Sequence, residues 1–361
     1  MIKKEGNNIM VILQLTTVCN LNCSYCFEMQ GGKTDSAKFM SKEDIDRILS
    51  ESKTFKESGV VKIHGGEPLV AKDLIEYILD KPEVHKVFFN TNGLLINRDL
   101  VEKWHKYRDK LRYIISLDGC KASHNISRNN SFDKVYSAVK LLHEMRDNGF
   151  SELKSTGVSY TISPDTVDYV FESVIFFQNN GINIFTYEPA SFTDFTKDQQ
   201  NELFKQLGQA HEYLFDLLVN SPKEIDSNQL MCFLENCINK KSNFYPCTGY
   251  EGLYYDIDGN CHTCIFEDVS SSPEIECVHW AKWHPSYKYC LYCWCCTGHR
   301  RRKHPFMCAY SRFISSEIIK YFNKMTQLPE DDFYRIIETI MRGDPRPTPV
   351  LAQLIRNYCN Y

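Results

Sequence analysis

No apolar run in the sequence approaches the roughly twenty residues that a membrane-crossing helix needs. Residues 1–10 carry lysines but no continuous apolar stretch with a small-residue cleavage site behind it, so no secretory signal is read there. Internal repeats and low-complexity tracts are missing too, which argues against disorder and collagen-like arrays. Strong charge of either sign is also lacking. The formal net charge is -4 over 361 residues, which offers phosphate backbones no general attraction, although residues 299–304 form a local basic run. Nucleic acid is therefore a poor candidate partner, no membrane is expected, and a reducing cytoplasm is the default compartment.

What is present fits a globular chain. Apolar residues make up 43% and charged residues 24%, near the average for such proteins, and the length suits one large barrel domain with an appendage, or two domains. The unusual feature is sixteen cysteines. In a short secreted protein they would suggest disulfides. In a long chain without an export signal, with its thiols clustered, metal or cluster ligation is the stronger reading.

Residues 11–15, 60–63, 87–89, 113–117, 157–162 and 182–187 are short, rich in branched or aromatic residues, and read as buried strands. Helical stretches separate them: 41–53, with Ser41 as cap and Ile45, Ile48 and Leu49 on one face, then 74–79, 100–107, 132–147 and 167–179. Strands alternating with helices predict an α/β fold, a parallel sheet in an open or closed barrel with its chemistry at the carboxyl ends of the strands. Residues 192–220 read as a polar helix, and 313–361 return to helical periodicity. Between them most of the cysteines are interleaved with Trp, Tyr, His, Pro and Gly, a segment that would need bound metal to order it.

Cys19, Cys23 and Cys26 follow the first expected strand. Spacings of three and two residues let one loop present three thiolates to an iron-sulfur cluster, leaving one iron without a protein ligand. The alternative is zinc, which would want a fourth ligand close by, and none is obvious. The order Cys19-x-x-x-Cys23-x-x-Cys26-Phe27 resembles the signature of the radical S-adenosylmethionine (SAM) superfamily. The resemblance implies a partial (β/α)6 TIM-like barrel, a 4Fe-4S cluster and SAM chelated to its open iron, with Phe27 at the SAM pocket. His64-Gly65-Gly66-Glu67-Pro68 resembles the family's Gly-Gly-Glu-Pro motif, which binds the methionine amino group through backbone and carboxylate oxygens; otherwise it is a strand-ending turn. A glycine pair there lets backbone approach a ligand closely. Thr91-Asn92-Gly93 and Ser116-Leu117-Asp118-Gly119 resemble stretches lining the pocket, with Asn92 among the SAM contacts and Ser116 and Asp118 bonding ribose or carboxylate, although an Asp-Gly pair alone is usually only a turn. His124-x-x-x-Arg128 resembles the family's His-x-x-x-Arg stretch, with Arg128 as the fork for the methionine carboxylate.

In the second half, Cys247, Gly259 and Cys264, then Cys290, Cys293, Cys295, Cys296 and His299, then Cys308, resemble a SPASM or twitch extension carrying auxiliary iron-sulfur clusters. Cys295 and Cys296 come sooner than that pattern expects, so two clusters or one are both open, and Cys237, Cys261 and Cys277 are substitutes for a missing ligand. A zinc ribbon fits two Cys-x-x-Cys pairs equally well on ligand type alone. Cys120 and Cys359, isolated in sequence, read as ordinary thiols.

The resemblance implies an oxidoreductase that cleaves SAM reductively to a 5'-deoxyadenosyl radical and takes hydrogen from a peptide or protein. The expected enzyme is a maturase of ribosomal peptides (RiPPs) that forms a crosslink or an oxidised residue. It also implies an external electron donor such as flavodoxin or ferredoxin. With the first strand near residue 11 there is no room ahead of it for a leader-recognition domain, so a separate leader-peptide-binding protein is a candidate partner. The runner-up is an anaerobic sulfatase-maturase-like, formylglycine-generating enzyme; the acidic residue expected directly after Cys264 is replaced by Ile265, with Glu267 and Asp268 further on as the candidate catalytic acids. Molybdenum-cofactor cyclases, which end in Gly-Gly, are discounted because this chain ends Cys359-Asn360-Tyr361. A non-catalytic iron-sulfur or zinc scaffold is the reading of another class. The expected organisation is a barrel over 1–190, a helical linker over 191–230, an auxiliary-cluster domain over 231–312 and a helical segment over 313–361.

Overall fold

The computed structural model describes residues 10–26, 28, 37–150, 153, 156–190, 193–222, 227–238, 252–262, 305–341 and 348–359. Phe27, Cys247, Cys264, Glu267, Asp268, Cys277, Cys290, Cys293, Cys295, Cys296 and His299 lie outside them, as do the side chains of Cys237, Cys308 and Cys359.

The six apolar runs form β1 (Met10–Thr16), β2 (Val60–Gly65), β3 (Lys86–Thr91), β4 (Leu111–Ser116), β5 (Gly157–Ile162) and β6 (Ile184–Pro189), all parallel and adjacent in chain order. Helices lie between them: α1 (Lys42–Glu51) and α2 (Lys53–Ser58), α3 (Lys72–Leu79), α4 (Arg98–Trp104), α5 (Lys121–Ser127) and α6 (Phe132–Asp147), then α7 (Val170–Asn179). Ser41 caps α1 by accepting from the Asp44 amide, and Ile45, Ile48 and Leu49 are its buried face.

Each strand from β2 to β6 alternates between buried and partly exposed residues. One face, with Val61, Ile63, Phe89, Ile115, Tyr160 and Phe185, packs under the helices in the main core. The other carries Lys62, His64, Asn90, Arg112, Ser116, Thr161 and Glu188. A closed barrel fills its interior with branched side chains; this sheet stays open, and its inner face mixes those polar residues with apolar ones such as Val60 and Phe88. The runs expected to be buried on both faces are therefore covered on one only, except β1, where all seven residues are buried.

The reason lies in an element the sequence pattern did not announce. β8 (Gly252–Tyr255) pairs in parallel with β1 on the side away from β2, from Met10 with Gly252 to Leu13 with Tyr255, and β9 (Cys261–His262) turns back against it. Tyr254 then packs with Met10 and Ile12 on the inner face. At the opposite edge β7 (Ser227–Asn228) extends β6. Beyond the sheet, α8 (Lys197–Asn220), α9 (Gln229–Ile238), α10 (Pro305–Thr326), α11 (Glu330–Ile340) and α12 (Thr348–Cys359) join the same core. Phe195 stacks on Phe306 and Phe204 on Phe313, with centroids 4.2 and 4.7 Å apart. No helix among the described residues is long and apolar enough to cross a membrane.

Candidate functional site

The cysteine loop leaves the end of β1, where the pairing with β2 slips by one residue between Gln14 and Thr16. The slip brings its backbone onto the glycine pair. The Gly66 amide donates to the Thr16 carbonyl at 2.9 Å and the Glu67 amide to the Val18 carbonyl at 2.8 Å. A Cβ on Gly65 (φ +137) would lie 2.3 Å from the Thr16 oxygen, and one on Gly66 2.1 Å from the Val18 oxygen. Glycine is required here by the chain's own cysteine loop, a reason separate from any ligand.

Cys19, Cys23 and Cys26 are free thiols, the first exposed and the others half-buried. Cys19 Sγ accepts from the Leu21 amide at 3.4 Å, and Asn92 Nδ2 lies 4.0 Å from it while donating to Asn20 Oδ1 at 2.6 Å. Burial pushes the Cys23 thiol up to about 11 and raises Cys19 as well. Among the described residues no three of His, Cys, Asp and Glu are placed to hold a single metal ion; three soft donors on one loop, one of them taking an amide hydrogen on its sulfur, suit by their chemistry a multi-iron cluster held by thiolates.

Glu67 is 2% exposed. Its Oε1 accepts from the Leu69 amide (3.0 Å) and the Thr91 hydroxyl (2.5 Å), and Oε2 from the Asn92 amide (2.7 Å). Burial raises its carboxyl against the pull of these three donors. Glu67 thus ties the end of β2 to the end of β3 and sets Asn92 against the cysteine loop.

Asp118, past the end of β4, is fully buried. Its Oδ2 accepts from the Tyr25 hydroxyl (2.6 Å) and from Arg128 Nε (2.7 Å), and Oδ1 from the Thr161 amide (3.0 Å). It is a hub joining the cysteine loop, α5 and β5. The Arg128 guanidinium lies 5.5 Å over the Tyr25 ring. Burial works against its charge, but Asp118 beside it holds the group well above its usual value. Beyond Nε, the guanidinium takes no other hydrogen-bond or ion-pair partner among the described residues. The Ser24 amide donates to the Ser127 carbonyl at 3.0 Å, fastening the loop to α5 a second time. Ser116 ends β4 on the inner face, opposite Ser159 of β5.

The sequence reading did not single out Tyr25, although an aromatic ring between two ligating cysteines was a usable signal. It also passed over Gln14, the polar residue inside the apolar run of β1. Gln14 is 3% exposed, donates to Glu28 Oε2 at 3.2 Å and accepts from the Ile257 amide at 3.1 Å. Glu28 also meets His64 Nε2 at 2.9 Å. Cys261, on β9, is exposed. Cys120 is buried at the start of α5.

The sequence model described as Radical SAM superfamily matches residues 13–168, from β1 to the turn before α7. Over those residues the chain carries a radical SAM domain. Its curated relatives and solved neighbours in that superfamily are enzymes. A curated relative, "Probable GTP 3',8-cyclase" of Archaeoglobus fulgidus, is 37% identical over 116 residues, which are 31% of this chain and 35% of that protein. The chain thus spans about a third of that relative's length. Among solved structures, a histidine-tagged form of "anSMEcpe with bound AdoMet" aligns with a TM-score of 0.63 at 16% identity, covering 91% of this chain and 98% of that one. Streptococcus suis SuiB bound to precursor peptide SuiA aligns at 0.50 and 20% identity, over 73% of this chain and 61% of that one. At those identities the likeness is one of fold, the open partial barrel described above.

Proposed function

We propose that this radical SAM enzyme modifies a peptide or protein, with Cys19, Cys23 and Cys26 holding a 4Fe-4S cluster and SAM lying across the carboxyl ends of β1 to β4. The observation that carries this reading is the single hydrogen-bonded network linking the cysteine loop, the glycine pair, Asn92, Asp118 and Arg128. When bound, the cluster and SAM supply a 5'-deoxyadenosyl radical that takes hydrogen from the substrate. The chain's own residues hold and orient. Arg128 keeps its charge beside Asp118 and presents its terminal nitrogens to the methionine carboxylate. Glu67 Oε2 accepts one hydrogen bond and keeps a lone pair for the methionine ammonium beside the Gly65–Gly66 backbone. Asn92 and Ser116 lie on the approach to the nucleoside, and Phe27 follows the third ligand.

For the substrate, the support is the fold shared with SuiB, solved with precursor peptide SuiA, together with the open inner face of the sheet. An external electron donor and auxiliary clusters belong to the same reading. Cys247, Cys264, Cys290, Cys293, Cys295, Cys296 and Cys308 would be the auxiliary ligands, with Cys261 delivered by the β8–β9 hairpin. A second reading, a nucleotide cyclase, is favoured by the similarity of the first half to a "Probable GTP 3',8-cyclase".

The test is anaerobic reconstitution, reduction and assay of 5'-deoxyadenosine with a candidate peptide or with GTP. The wild type is expected to release 5'-deoxyadenosine and Cys23→Ala none; full release by Cys23→Ala would overturn the ligand assignment. A mass change in the peptide, with GTP untouched, supports the peptide reading, and the reverse result selects the cyclase.

A further inference from the structure

His124 lies at the centre of α5, fully buried, and no step proposed above uses it. Its Nδ1 accepts from the Asp118 amide at 3.1 Å. A backbone N–H can only donate, so Nδ1 carries no hydrogen and the ring's proton sits on Nε2. Nε2 therefore donates to Ser131 Oγ, 2.9 Å away. Ser131 in turn spends its own hydroxyl hydrogen on the Arg128 carbonyl at 2.7 Å. The chain of donors has one direction: Asp118 amide, His124, Ser131, Arg128 carbonyl.

This chain closes a ring. The side chains of Asp118 and Arg128 already pair at 2.7 Å, and His124 with Ser131 joins their backbones from behind. Ser131 can fold back onto Arg128 because Asn129 and Asn130 both adopt the left-handed conformation, at φ 51 and 56, which asparagine tolerates better than most residues. The ring works with neutral imidazole alone, since a proton on Nδ1 would face the Asp118 N–H donor to donor. Burial agrees, holding the imidazole down to about 4.

We propose that His124 is a positioning residue for SAM: through Asp118 and Ser131 it fixes where the Arg128 guanidinium stands relative to the cysteine loop. The loop feels the same restraint, because Tyr25 bonds Asp118 and Ser24 bonds the last carbonyl of α5. A histidine that merely filled the core would need neither the directed chain nor the left-handed pair that completes it. The inference rests on the reading that Arg128 receives the methionine carboxylate, and the experiment separates the two.

The test measures the SAM dissociation constant of the anaerobically reconstituted protein, with iron content and melting temperature recorded without SAM. His124→Asn can still accept from the Asp118 amide but is too short to reach Ser131; Ser131→Ala removes the next link; Ser131→Thr restores its hydroxyl. His124→Asn and Ser131→Ala are each expected to weaken SAM binding about tenfold, the size of one lost hydrogen bond. The double variant should be little worse than either single one, and Ser131→Thr should recover most of the loss. In turnover, KM for SAM should rise more than kcat falls. Unchanged binding in Ser131→Ala, or losses that simply multiply in the double variant, would overturn the proposal, and Ser131→Ala decides it if His124→Asn fails to fold. If Arg128→Lys leaves SAM binding intact, the carboxylate reading fails instead.

Discussion

β1 is flanked by two cysteine-bearing stretches held in opposite ways. On the β2 side, the loop of Cys19 to Cys26 is fastened by buried groups: the backbone clamp to Gly66 and Glu67, Tyr25 on Asp118, and Arg128 paired within the same enclosure. On the other side, the β8–β9 hairpin with Cys261 is fastened by ladder pairing to β1 and by an exposed ion pair, Lys38 with Asp258 at 3.0 Å, whose side chains are 41% and 60% exposed. The Arg47 guanidinium adds a bond to the Gly259 carbonyl at 3.2 Å. The first arrangement makes geometry depend on a few side chains that cannot be removed singly without stranding a partner. The second spreads position over backbone hydrogen bonds, the Gln14 bond to the Ile257 amide and the packing of Tyr254, so that its exposed side chains matter little.

The comparison is sharpest at Asp118. Asp118→Ala leaves Arg128 charged, 8% exposed and unpaired, and breaking such a buried pair costs roughly 3–5 kcal/mol. Urea unfolding should show that loss, together with failure to retain iron in the cysteine loop.

A smaller effect should follow pH. Burial depresses the folded-state value of His124 to about 4, against about 6.5 when unfolded, with Asp118 and Arg128 the charged groups facing it. The unfolded chain therefore binds more protons between these values, so stability rises with pH across that window. The contribution is complete above about pH 6.5 and is lost as pH falls toward 4, roughly 3 kcal/mol in all. Urea midpoints from pH 4 to 7 should climb in the wild type and flatten in His124→Asn.

On the hairpin side, Lys38→Ala removes an exposed pair and should cost under about 1 kcal/mol, an effect that salt also erases. A loss in thermal melts as large as that of Asp118→Ala would dissolve the contrast between the two stretches.

Local features of this architecture were legible in the sequence. Branched residues marked β1 to β6 to within a few positions, Ser41 marked the start of α1, and the stretches around Gly65, Asn92, Asp118 and Arg128 meet at one end of the sheet. What could not be read depends on contacts between distant segments. β8 has four residues and gains its place from β1, about 240 positions earlier in the chain, so no local periodicity announced it. The glycine pair suggested a ligand's approach, whereas the atoms nearest its absent side chains are the Thr16 and Val18 carbonyls. Asp118 read as a ligand contact or a turn residue, yet both its oxygens are engaged by the chain itself. Such enclosure is a property of four elements meeting, and no one of them encodes it alone.

The central claim is that three thiolates leave one iron free for SAM. Electron paramagnetic resonance of the reduced, anaerobically reconstituted protein, with and without SAM, tests it most directly. The account predicts a 4Fe-4S signal that changes on SAM addition in the wild type and keeps its unshifted form in Arg128→Ala at the same SAM concentration. A wild-type signal indifferent to SAM, or no iron-sulfur signal at all, would contradict it.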